Sequence, residues 1–227
     1  AVFSIDGDRL QLRDADGALQ VDFRAQAPAA EDAAATEALV AALPDLEYQN
    51  IAGMEDAPVQ MTDGMYEGEP YVEGGAARPL AQVTDITATG SIDGVPSVVV
   101  IVYSSTGGSG GFNNLALVQD VDGTPTNVGT VFLGDRGQIN ALSIQENQIV
   151  VDMVTQGPND PMCCPTQQVL NTYAMVDGEL AQTSSTVLGF VSPGNGAETT
   201  VNIIGATWEW VEFQSGDGST LTVDNPT

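Results

Sequence analysis

Asp-Gly pairs punctuate this chain at Asp6-Gly7, Asp16-Gly17, Asp93-Gly94, Asp122-Gly123, Asp177-Gly178 and Asp217-Gly218. Asp-Gly is a strong hairpin signal, because a two-residue turn of the right twist needs positive φ at both positions. The segments between the turns alternate or run apolar over strand-like lengths. Phe3, Ile5, Leu10, Leu12, Leu19, Val21 and Phe23 fall at period two. Val83 to Ala88 alternates, and Ser97 to Tyr103 is a continuous apolar run, which predicts a strand buried on both faces. Further strands are predicted at 57–61, 64–67, 112–121, 127–133, 138–144, 148–154, 167–176, 179–190 and 199–214. The pattern predicts a mainly β fold, an antiparallel sandwich or barrel-like domain rather than a parallel α/β sheet.

One stretch breaks the pattern. Residues 25–44, AQAPAAEDAAATEALVAALP, are Ala-rich and lack a β-branched cluster. Glu31 or Asp32 can cap, and Pro44 stops the run, so one short helix is predicted near 31–43. The change in composition divides the chain into strands over 1–26, a linker and helix over 27–44, a central β domain over 45–191, and a linker with a final strand over 192–227. The octet SSTGGSGG at 104–111 reads as a flexible, exposed turn.

Composition excludes much chemistry. The chain has no His and no Lys; its five cations are all Arg, against 31 acids, for a net charge of −26. Ser-His-Asp and Cys-His catalysis and imidazole zinc sites cannot be built. Lysine Schiff bases and phosphate loops are excluded too. The charge opposes nucleic acid and anionic membranes. It also predicts greater stability in salt, where like-charge repulsion is screened. No apolar run reaches the roughly 18 residues of a membrane helix. A start at Ala1 without Met suggests a processed product or a piece of a longer polypeptide.

Residues 203–213, IIGATWEWVEF, carry Gly205, Trp208, Trp210, Val211 and Phe213 in the spacing of an opening strand. That segment resembles the start of a META domain, the small β domain of bacterial heat-inducible lipoproteins. Residues 4–24, SIDGDRLQLRDADGALQVDFR, resemble the closing strands of the same family. The centre, roughly 45–182, is similar to an uncharacterised domain of secreted bacterial lipoproteins. It shares Gly107-Gly108-Ser109-Gly110, Leu133-Gly134-Asp135-Arg136 and the block GPNDPMCCPTQ at 157–167. The resemblance implies an extracellular or cell-surface location and no particular activity. Relatives carry a calcium-type loop where this chain reads Ala88 to Gly94, with most of the carboxylates missing.

Four sets of residues are candidate sites. Cys163 and Cys164 fit a vicinal disulfide; two reduced buried thiols are the bland reading, and a metal would need carboxylates or Met as further ligands. Asp14, Asp16, Asp120 and Asp122 are calcium candidates, although the same pairs also serve as hairpin turns. Ile203, Trp208, Trp210 and Phe213 at one end, with Leu10, Leu12, Val21 and Phe23 at the other, are candidate interaction residues. Arg136 is expected to pair with Asp135 or another carboxylate.

These readings lead to a non-enzymatic, secreted or cell-surface structural or interaction protein. Its partners are other copies of itself or a longer parent chain, with no nucleic acid and no membrane insertion. The C-terminal strand would complete a sheet left open by the N-terminal hairpins of another copy. The plainer form pairs both ends within one chain. The alternative is an extracellular ligand-binding module for carbohydrate or calcium; no other cofactor is expected.

Overall fold

The computed structural model describes residues 2–6, 9–14, 16–25, 30–54, 58–191, 208–214 and 220–222. The chain forms two compact units, Ala1–Ala29 with Ala206–Thr227, and Ala30–Gly205. The fold is mainly β and antiparallel, with one short helix.

In the two-ended unit, β1 (Val2–Asp6), β2 (Arg9–Arg13) and β3 (Leu19–Ala25) form a meander. Then β3 pairs with a strand from the far end of the chain, Trp208–Gln214, which in turn pairs with Thr220–Thr222. Asp22 is buried on this sheet, and its carboxylate accepts from Arg9 Nε at 2.7 and 2.8 Å and from Nη2. A buried carboxylate without such a partner would be costly.

The larger unit begins with α1 (Ala30–Ala42), followed by a 3-10 turn at Leu43–Asp45 that contains Pro44. Proline thus ends the α-helix where the sequence expects, within a residue. Then come β4 (Glu47–Tyr48), β5 (Val59–Gln60) and β6 (Met65–Glu67). Strand β4 has no counterpart in the sequence reading, and the predicted strand 57–61 shrinks to a two-residue pairing with it. The long strands are β7 (Leu80–Ile92), β8 (Val95–Ser105), β9 (Phe112–Val121) and β10 (Thr124–Asp135). They are followed by β11 (Gln138–Gln145), β12 (Gln148–Thr155), β13 (Gln167–Val176) and β14 (Glu179–Phe190). The C-terminal pair, Trp208–Gln214 and Thr220–Thr222, are β15 and β16.

Two sheets result, one ordered β10-β9-β8-β7-β6 and one ordered β11-β12-β13-β14. Three of the Asp-Gly turns behave as the sequence predicts; Asp16-Gly17 instead lies in the longer loop between Arg13 and Leu19, with only Gly17 of the pair at positive φ, and Gly7 and Asp217-Gly218 lie outside the described residues. Asp93-Gly94, Asp122-Gly123 and Asp177-Gly178 all have both residues at positive φ, and Glu146-Asn147 does the same. That is the backbone a two-residue hairpin requires.

The apolar run of β8 is buried on both faces for a visible reason. Val99 and Ile101, with Leu115 and Leu117 of β9, meet Ile149, Val151, Met153, Val169 and Tyr173 of the second sheet. Val98, Val100 and Val102, with Ala116 and Val118, meet Leu39 of α1, Leu43, Tyr48, Ile51 and Met61. The first sheet is therefore the middle of three layers. Each fully buried aliphatic chain contributes roughly 1.5–3 kcal/mol. At the corner between β7 and β11, a Cβ on Gly90 would sit 2.8 Å from Ile144 Cβ, so the strands approach too closely for a side chain there.

Two buried asparagines dock the segment after the helix. Asn114 Oδ1 accepts from Ala52 N–H at 2.9 Å, and its amide donates to Val102 O and Ser104 Oγ. Asn127 Oδ1 accepts from Gln49 N–H at 3.0 Å, and its amide donates to Leu117 O and Gly129 O.

Candidate functional site

At one end of the larger unit, loops from four places in the sequence touch in a chain. Gly107 lies against Arg78, where a Cβ would meet the Arg78 backbone at 2.6 Å. Gly111 N–H donates to Asp135 Oδ1 at 2.9 Å. Arg136 then joins three of the loops. Its N–H donates to Gly111 O at 2.6 Å, Nε to Ser109 O at 3.1 Å and Nη1 to Met162 O at 2.7 Å, while Nη2 lies 3.2 Å from Asp135 Oδ2. The expected Asp135 pair is present, but most of the guanidinium serves carbonyls. Arg136 itself has φ +55°, a left-handed conformation that turns its side chain's backbone anchor between β10 and β11. The 104–111 stretch is exposed over 107–109, but Ser104 and Ser105 are buried at the end of β8, and Ser105 Oγ donates to Gly110 O and accepts from Gly107 N–H.

The third of those loops carries the cysteines. Cys163 and Cys164 are joined by a disulfide across a trans peptide, with Cα atoms 3.8 Å apart. Asp160 holds the loop's base. Its carboxylate accepts from Gly157 N–H at 2.8 Å, Thr166 N–H at 2.6 Å and Thr166 Oγ1 at 2.8 Å. The Gly157 amide, then the Thr166 hydroxyl and last the Thr166 amide hold this carboxyl below its ordinary value, while burial acts the other way. Gln156 Nε2 donates to Asp160 O and Pro161 O. Large apolar side chains are exposed on this loop and on neighbouring elements. Met162 is 72 % exposed and Phe190 66 %, and on the loop preceding Arg78, Val72 is 71 % exposed.

The candidate interaction residues of the two chain ends are brought together in register. Leu10 lies opposite Phe23, which lies opposite Trp210; Leu12 lies opposite Val21, which lies opposite Phe213. Trp208 faces Ala25, and the register slips by one at Val211. Leu10 is buried, while Leu12, Val21 and Phe23 are half-buried. Ile203 lies outside the described residues.

The calcium candidates fall in different units, Asp14 and Asp16 in one, Asp120 and Asp122 in the other. Asp14 Oδ1 accepts from Asp16 N–H and Ala18 N–H, and Oδ2 from Gln20. Asp120 Oδ1 accepts from Gly123 N–H at 2.7 Å. These carboxylates cap their own turns, and Asp16 and Asp122 are exposed on theirs. Among the described residues no group of three or more acidic or cysteine side chains is placed to hold a metal ion. A cavity of about 350 Å³ is lined by Gln49, Asn50, Asn127, Thr130, Glu179 and Leu180, and Asn127 there is fully partnered.

Sequence reasoning picked out the cysteine loop and Arg136 separately and missed that one grips the other. Comparisons with family models, with curated proteins and with solved structures find no match.

Proposed function

We propose that this is a non-enzymatic, secreted or cell-surface interaction protein that associates with further copies of itself by strand complementation. The observation that carries this reading is the antiparallel pairing of β3 with β15. A sheet edge made by the N-terminal hairpins accepts a strand from the opposite end of the polypeptide. The hydrogen bonds of that seam are main-chain bonds, so a second copy's β15 offers the same partner. Exchange of an identical element is a low-cost route from closed monomers to closed or open assemblies. Within one chain the seam is favoured by effective concentration, and exchange is favoured as protein concentration rises.

The test is to unfold two populations with different tags, refold them together, and isolate one tag. Co-isolation that rises with refolding concentration and disappears with Phe213→Pro supports strand exchange. Absence of co-isolation at every concentration removes it.

The loop end favours a second reading, an extracellular ligand-binding module. Binding surfaces commonly sit on loops held by a rigid scaffold. Here the Arg136 clasp supplies the rigidity, and Met162 supplies an adaptable apolar contact. A ligand on this surface raises the melting temperature of the wild type and not of Met162→Ser.

A further inference from the structure

The Cys163–Cys164 bond links adjacent residues, so it removes almost no chain entropy from the unfolded state. The loop's shape is secured by other groups. Asp160 ties Gly157 to Thr166, Cys164 N–H donates to Pro161 O at 2.9 Å, and Arg136 grips Met162 O. None of these bonds uses sulfur, so none of them requires the disulfide to be closed.

The tip of the loop carries three sulfur-bearing residues in a row. Met162, Cys163 and Cys164 are consecutive, Met162 is 72 % exposed, and Cys163 is exposed while Cys164 is half-buried. The neighbouring carboxylate of Asp160 already accepts three hydrogen bonds. The chain has no imidazole to contribute. A donor set of two thiolates and a thioether selects soft cations, copper(I) above all, over hard ones.

We infer that the Cys163–Cys164 pair cycles between disulfide and dithiol in the folded protein, and that the dithiol, with Met162, binds copper(I). The reductant is a dithiol. Its thiolate attacks the sulfur of Cys163, the more exposed residue of the pair, the sulfur–sulfur bond breaks, and Cys164 leaves as a thiolate that takes up a proton. The reductant's second thiolate attacks its own sulfur in the mixed disulfide and releases Cys163, which is protonated in turn. The protein gains two electrons and two protons, and the reductant becomes a disulfide. Copper(I) then displaces both thiol protons without changing oxidation state, and the Met162 sulfur adds as a neutral donor. The strongly negative chain raises the local concentration of cations.

This inference stands apart from strand exchange, since the loop and the β3–β15 seam belong to different units. The experiment reduces the native chain anaerobically, removes the reductant, and counts thiols while circular dichroism records the fold. The reduced protein is then titrated against copper(I) held by a coloured chelator. Two thiols in a folded chain, one copper withdrawn per chain, no withdrawal by the oxidised protein, and weaker withdrawal by Met162→Leu support the inference. X-ray absorption then shows sulfur-only coordination. Thiols that appear only on unfolding overturn it. So does a reduced, folded protein that leaves the copper on the chelator, or one that binds no better than its oxidised form. The oxidised wild type is the control that keeps the result decisive if Cys163→Ser/Cys164→Ser fails to fold.

Discussion

Arg136 Nη1 donates to the carbonyl of Met162 at 2.7 Å, which ties the corner between β10 and β11 to the loop that carries the disulfide. The same guanidinium reaches Ser109 O, and its backbone reaches Gly111 O. One cation in a chain with 31 acids therefore holds three loops through carbonyls rather than through carboxylates alone.

Arg136→Ala is expected to cost about 1–2 kcal/mol, since hydrogen bonds from a charged donor are lost in a half-exposed setting. The diagnostic effect is local. Amide exchange should accelerate over 106–111 and 160–166 while the amides of β8 and β9 stay protected.

Asn114→Ala is expected to cost about 1–3 kcal/mol, because Ala52 N–H and Val102 O lose their buried partner. Ile101→Ala, at the centre of the sandwich core and 1 % exposed, is expected to cost about 2–5 kcal/mol. Val187→Ala, 53 % exposed on β14, should stay within about 0.5 kcal/mol. Urea denaturation of the three variants checks the order.

Two pH limits follow from named groups. The Asp160 carboxyl titrates below its unfolded value, so its contribution is present above the unfolded pKa and is lost as pH falls through the folded one. Exchange of the Gly157 and Thr166 amides should quicken in acid before the core opens. Tyr48 is buried, its hydroxyl donates to Leu43 O at 2.9 Å, and burial pushes its pKa up. Its contribution is complete below the unfolded value of about 10 and falls by about 1.4 kcal/mol per pH unit above it. Tyr48→Phe should flatten that alkaline slope.

Salt is expected to stabilise the whole chain. A net charge of −26 repels itself, and the Debye length shrinks from about 10 Å at 0.1 M to about 3 Å at 1 M. Melting temperature should rise with sodium chloride, most steeply below about 0.5 M, where the Debye length shortens fastest. A temperature that falls over that range contradicts the reading.

Much of the fold is legible in local sequence because its hairpins are local. Asp93, Asp122 and Asp177 before glycine give the turns, and the Val98–Val102 run gives the strand packed on both faces. Strand β4 escapes such reading because two residues, Glu47 and Tyr48, carry no period. Its position is set by Asn127, some eighty residues away, through Gln49. The clasp escapes for the same reason. Nothing near Arg136 in sequence announces Ser109 or Met162, and Gly107 reads as flexibility until Arg78 is seen against it. The chain ends are a middle case. Alternation at Leu10, Leu12, Val21 and Phe23 marks strands, and pairing with β15 arranges them in rows.

The most direct test of strand complementation is the native mass across a concentration series, by sedimentation velocity, before and after unfolding and refolding at high concentration. The account predicts a 23.5 kDa species when dilute and integer multiples of it that grow with refolding concentration and vanish in Phe213→Pro. A single 23.5 kDa species under every condition contradicts it.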